Sequence, residues 1–280
     1  MKNNFKEIPY CCVEFLFINI YNINVRGDDK LNNKIGEINY NKFGSKMIIT
    51  EYRKYNDITV YFEEYNSYVT TRYEHFKNGN TKCPFEPRIY DVAYIGEGEY
   101  TSRNNGIKTN EYVIWMNMLH RCYSKSIKEK RPTYSEVRVC DEWLNFQNFA
   151  KWYEENHYEV NGERMHLDKD ILVKGNKVYS PNTCIFVPQR INTLFLIQQN
   201  HRGELPIGVY YDNRINKYKV TLQKHTERTY LGYYNTPEEA FNVYKNAKEN
   251  YIKEVAEEYK DKIPNKLYEA MYNYEIKIND

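Results

Sequence analysis

The sequence predicts an α+β chain built from several small units, and three observations carry that expectation. The chain has 280 residues, more than the roughly 100–150 of a common domain. Its hydrophobic periodicity changes from strand-like to helix-like and back again. No apolar run approaches the ~18 residues that a membrane helix needs, which excludes a spanning protein and a membrane partner. Hydrophobic residues make up 41% and charged residues 28%, enough for globular cores and against wholesale disorder. The net charge of +2 excludes a polycation, so a nucleic-acid surface has to come from local segregation of charge. The thirty tyrosines have two accounts: AT-rich codon usage first, and aromatic groups for nucleic-acid contact second.

Residues 1–30 read as a leader of unassigned role. Cys11 to Ile20 is apolar like a signal core, but it carries Glu14 and lacks a small-residue cleavage site. Six cysteines at 11, 12, 83, 122, 140 and 184 form no C-x-x-C pair. They read as reduced thiols of a cytoplasmic protein. The alternative is a composite zinc site from Cys122, Cys140, Cys184 and His166.

Residues 31–95 read as a small β-rich domain, a barrel or a curled antiparallel sheet. Met47 to Tyr52, Ile58 to Phe62 and Tyr68 to Tyr73 are β-branched and aromatic, with Gly, Asn and Asp between them. Pro84 and Pro87 punctuate its end. Residues 96–200 change character. Tyr112, Trp115, Met116, Leu119, Cys122 and Tyr123 recur at helical spacing, as do Trp143, Phe146, Phe149, Trp152 and Tyr153. All three tryptophans fall in these stripes, which marks a second core. Residues 203–280 return to strands at Gly208 to Tyr211, Lys217 to Leu222 and Arg228 to Gly232. A helix follows, with Thr236 as N-cap, Pro237 at the first position and Glu239 completing a capping box. Its apolar stripe is Ala240, Phe241, Tyr244, Ala247 and Tyr251. Pro264 sets off a last helical segment, Leu267 to Tyr274.

Charge in the last unit is segregated. Arg214, Lys217, Lys219, Lys224 and Arg228 stand against Asp212 and Glu227 in the strands, and the acids gather in the helix. A three-stranded sheet backed by one helix leaves one face free, and a face of Arg, Lys, Tyr, Thr and Gln suits a DNA major groove. Ile207-Gly-Val-Tyr210, Lys217-Tyr-Lys-Val220 and Tyr230-Leu-Gly-Tyr-Tyr-Asn-Thr-Pro-Glu-Glu-Ala-Phe-Asn-Val-Tyr244 resemble the Apetala/ethylene-response-factor type DNA-binding domain. The resemblance implies that double-stranded DNA is the partner. It also implies that Tyr210, Tyr211, Arg214, Lys217, Lys219, Thr221 and Gln223 contact it. The family's early arginines are tyrosines here, at 210 and 211, so base specificity does not carry over.

In the middle unit, Met165-His-Leu-Asp-Lys-Asp170, Gly175-Asn-Lys177, Asn182-Thr-Cys-Ile-Phe-Val187 and Asn192 resemble an HNH-type nuclease core. That core is a ββα hairpin and helix in which a histidine is general base and a divalent metal such as Mg stabilises the departing oxygen. Carried over, His166, Lys169 and Asn182 take the catalytic positions, and Asp168, Asp170 and Asn192 the metal positions. The register that fits Asn182 puts Lys169 where the family has its base, and an ordinary lysine is protonated at neutral pH. His166 lies two residues from Asp168 and shares its strand face, so it is the other candidate base. Further similarity lies in Gly96 to Tyr100, Tyr112 to Tyr123, Pro132-Thr-Tyr134 and Val139 to Trp143. Together these segments resemble phage HNH or homing endonucleases, which places the chain in a host-cell cytoplasm. They imply a DNA-binding protein in which cleavage is kept through His166 or lost through Lys169. A second reading, in another class, is a phage-encoded inhibitor that binds a host defence protein on a vestigial nuclease scaffold. A third is a transcriptional regulator using the same reader.

Overall fold

The computed structural model describes residues 34–195 and 205–280. The expected leader, with Cys11 and Cys12, lies outside them. The fold is mixed α+β, with small sheets, all but one antiparallel, and seven α-helices among the described residues. No helix among them is long and apolar enough to cross a membrane. The chain falls into two compact units, one up to Cys83 and one from Pro84.

The first unit is a meander of β1 (Ile38–Tyr40), β2 (Lys46–Lys54), β3 (Asp57–Phe62) and β4 (Ser67–Thr71), antiparallel in that order. Strand alternation puts Met47 and Ile49 opposite Phe62 and Val60, and all four are buried with Ile58 and Phe76. The sheet is open rather than a closed barrel. The expected strand to Tyr73 stops at Thr71, because Tyr73 opens helix α1 (Tyr73–Lys77) and packs edge-on against Tyr52 and Tyr55.

The second unit begins with the hairpin β5 (Arg103–Asn104) and β6 (Ile107–Lys108), then α2 (Asn110–Tyr123) and α3 (Lys125–Lys130). Helix α2 buries Trp115, Met118, Leu119 and Cys122. Strand β7 (Arg138–Val139) follows. The second aromatic stripe is divided: Trp143 sits in a 3-10 turn, Asp141–Leu144, and helix α4 (Phe146–Asn156) starts after it. Asn145 causes the break by capping α4, its side chain accepting the Gln147 amide at 3.0 Å. Gly96 and Gly98 are explained here. A Cβ on either would stand 2.2 Å from Asn145 Oδ1 or 2.3 Å from Gln147 Oε1, so both let a loop close on the cap of α4.

Next come β8 (Met165–Asp168), β9 (Val178–Tyr179), β10 (Ile185–Pro188) and α5 (Gln189–Leu194). Strands β8 and β10 pair antiparallel, His166 opposite Val187, while β9 runs parallel to β7. The C-terminal part is the meander β11 (Val209–Asp212), β12 (Lys217–Lys224) and β13 (Glu227–Tyr234), then α6 (Pro237–Tyr259) and α7 (Asn265–Tyr272). The expected strands, cap and helix are all present. Thr236 accepts the Glu239 amide at 3.2 Å, and Glu239 accepts the Asn235 amide at 3.3 Å. Thr236→Ala removes this cap and is expected to lower stability by about 1 kcal/mol, read from denaturant melts of the full chain.

Two apolar clusters hold the second unit. One gathers Trp115, Trp143, Phe149, Leu167 and Phe186. The other joins Ile171, Ile185, Val187 and Ile191 to Val209, Val220, Phe241 and Leu267. The second cluster therefore draws on segments both before and after residues 196–204.

Candidate functional site

Two surfaces carry the residues singled out by sequence. The first is a cavity of about 630 Å³ lined by His166, Asp168, Lys169, Asp170 and Asn192. Five of the six candidate residues of the middle unit thus come together. Strand β8 presents His166 and Asp168 on one side, and α5 brings Asn192. Asn182 is exposed in the turn before β10 and is not among the residues lining the cavity.

The loop after β8 is ordered by its own polar groups. Asp168 Oδ1 accepts the amides of Asp170 and Ile171, each at 2.7 Å. Burial raises the Asp168 carboxyl above its usual range, against the pull of those two amides. Lys169 is buried; its Nζ donates to both Asp170 oxygens at 2.6 and 2.7 Å and to the Asn176 carbonyl at 2.8 Å. The Asn176 side chain returns two bonds, to the carbonyls of Lys169 and Val178. His166 bonds to Gln189 through Nε2. Burial lowers its pKa; the Gln189 bond opposes this, while Arg164 and Arg121 reinforce it.

These contacts decide what the cavity offers. An ammonium locked between a carboxylate and a carbonyl cannot accept a proton, so Lys169 cannot serve as a base in this arrangement. Of the two carboxylates expected at a metal, Asp168 gives one oxygen to amides and Asp170 gives both to Lys169. Among the described residues no group of three or more His, Cys, Asp or Glu gathers as a metal site, and this covers the composite of Cys122, Cys140, Cys184 and His166. Burial instead raises the Cys122 and Cys184 thiols to about 12. Two lining residues escaped sequence reading. Arg121 lines the cavity together with Tyr179, and its signal was the polar position within the aromatic stripe of α2. Lys174 bonds to Asp280 and the Glu275 carbonyl, which brings the C-terminal residues to the cavity wall.

The second surface is the C-terminal sheet. Val209 pairs with Val220 and Tyr210 with Lys219. Val220 and Leu222 are buried against Ala240 and Phe241 of α6. Strand alternation then places Lys217, Lys219, Thr221 and Gln223 on the opposite, free face. Tyr210 joins them through its pairing with Lys219. Tyr211 does not: it pairs with Tyr218 and packs against that ring at 5.0 Å, on the helix side. Of the two tyrosines expected at DNA, the register therefore puts only Tyr210 on the free face. Arg214 lies in the β11–β12 turn, its Nε and Nη2 committed to Asp212 at 3.0 and 2.7 Å. That pair holds the Asp212 carboxyl well below the usual range.

The ladder adds residues that sequence reasoning left out of the site. Arg228 stands opposite Gln223, Tyr230 opposite Thr221 and Tyr233 opposite Lys219. Lys219 Nζ lies 5.8 Å from the Tyr230 ring centre, a cation–π contact. A register shift between Val220 and Thr221 brings Tyr230 and Tyr233 to the same face although they are three residues apart, so alternation along β13 alone does not find them. Comparison with protein-family models, with curated proteins and with solved structures gives no match for this chain.

Proposed function

We propose that the protein binds double-stranded DNA through the free face of its C-terminal sheet, and that its middle unit is an HNH-like nuclease scaffold that no longer cuts. The single observation that supports DNA binding is the composition of that face. Lys217, Lys219 and Arg228 alternate with Tyr210, Tyr230, Thr221 and Gln223 on three paired strands. Cations there meet phosphates, while amide, hydroxyl and aromatic groups meet base edges and sugars. The loss of cleavage is supported by the Lys169–Asp170 pair, which occupies the base position and one metal position together.

A plasmid assay with Mg tests the second half. Wild type is expected to leave supercoiled DNA intact while retaining it in a mobility shift. Metal-dependent nicking that falls about a hundredfold or more in His166→Ala, the scale of a lost general base, would overturn it. Neither binding nor cutting would instead favour a protein-binding role on the same scaffold.

A further inference from the structure

A second cleft, of about 1110 Å³, lies between the β8–α5 corner and the C-terminal sheet. On the sheet side β12 continues from Thr221 to Lys224, beyond the last pair of the β11 ladder at Val209 and Val220. Thr221, Gln223 and Arg228 line the cleft from there. Arg164 and Gln189 line it from the hairpin side, and Lys248 from α6.

Its charges are unevenly matched. Glu163 is satisfied twice, by the Arg190 amide and the Tyr259 hydroxyl. The Arg190 guanidinium is paired with Glu258. Arg164, Arg228 and Lys248 have no carboxylate in salt-bridge range among the described residues. Lys248 is the telling one. It is half-buried, with its Nζ 6.0 Å from the Tyr251 ring centre. Burial alone draws its ammonium down to about 8. A half-buried cation pays for its desolvation, and a bound anion relieves that cost.

We propose that this cleft is a phosphodiester clamp, in which Lys248, Arg164 and Arg228 hold the backbone of the strand running along the β11 edge of the sheet. This deepens the DNA-binding reading above and rests on it. Continuity favours DNA over an acidic protein. Tyr210, Thr221, Gln223 and Arg228 belong both to the free face and to the cleft. A duplex laid on the face therefore carries its own backbone into the cleft.

The test uses the full chain, a short labelled duplex of random sequence and a salt series followed by fluorescence anisotropy. Lys248→Met and Arg164→Gln, both off the free face, are each expected to weaken binding roughly tenfold and to make the salt slope shallower by about 1. Lys248→Arg is expected to bind as wild type. Lys248→Met should melt at or above the wild-type temperature, because a desolvated charge is removed. Wild-type binding with unchanged affinity and slope in both variants overturns the clamp and leaves the DNA reading standing. No salt-sensitive binding by wild type overturns both. Polyglutamate that displaces the duplex from wild type, and binds wild type but not Lys248→Met, would assign the cleft to acidic protein and overturn the phosphodiester assignment.

Discussion

Replacing Lys217 and Lys219 together by glutamate is expected to weaken binding to any duplex roughly hundredfold near physiological salt, and to flatten the salt dependence by about 2 in slope. Both residues sit on the face that α6 does not cover, opposite Asp212 and Tyr210. Each reversal removes a phosphate partner and adds a repelling charge. Lys217 is exposed and Lys219 partly so, so neither substitution opens a cavity, and the melting temperature should stay near wild type. The loss should be uniform across sequences, because phosphate contacts position a protein without reading bases. An unchanged salt titration would remove the C-terminal sheet as the DNA-binding surface.

Phe241→Ala is expected to cost about 3–5 kcal/mol, the usual scale for emptying a buried phenyl site. In thermal melts this is a fall of roughly 10 °C for a unit of this size. Phe241 is buried in the apolar cluster with Val209, Val220, Leu222 and Ala240. The site cannot collapse cheaply, because the β12–β13 ladder and the α6 cap hold its walls in place. A melting temperature equal to wild type would show that sheet and helix do not pack as described.

Local rules made much of this legible. Thr236, Pro237 and Glu239 announce the start of α6, and buried Val220 and Leu222 set the phase of β12. The Gly-Asn turn after Lys174 and the strand at Ile185 to Val187 outline the hairpin. What escaped is pairing register, which depends on partners distant in sequence. The faces of Tyr210 and Tyr211 could not be told apart because their strand is short and both are exposed, so alternation along β11 alone gives no phase. Arg121 escaped because an arginine amid an aromatic stripe reads as its solvated side; only the fold turns it toward Tyr179. Trp143 looked helical because a 3-10 turn and an α-helix share nearly the same spacing over one turn. The commitment of Asp170 to Lys169 is invisible in a string, where adjacent opposite charges usually mark an exposed turn.

The motif boundary near residue 200 is not a boundary in free energy. The last eighty or so residues carry a sequence motif of their own, yet the apolar side chains beneath α6 are shared with Ile171, Ile185, Val187 and Ile191 of the preceding segments. A recombination event that moved only the last eighty or so residues would carry the DNA-facing chemistry away from part of what keeps it folded, and would leave an apolar scar on the donor. Selection acting on the sheet would then also preserve the hairpin. A segment can thus be kept whatever its own chemistry, because the neighbouring sheet and helix lean on it.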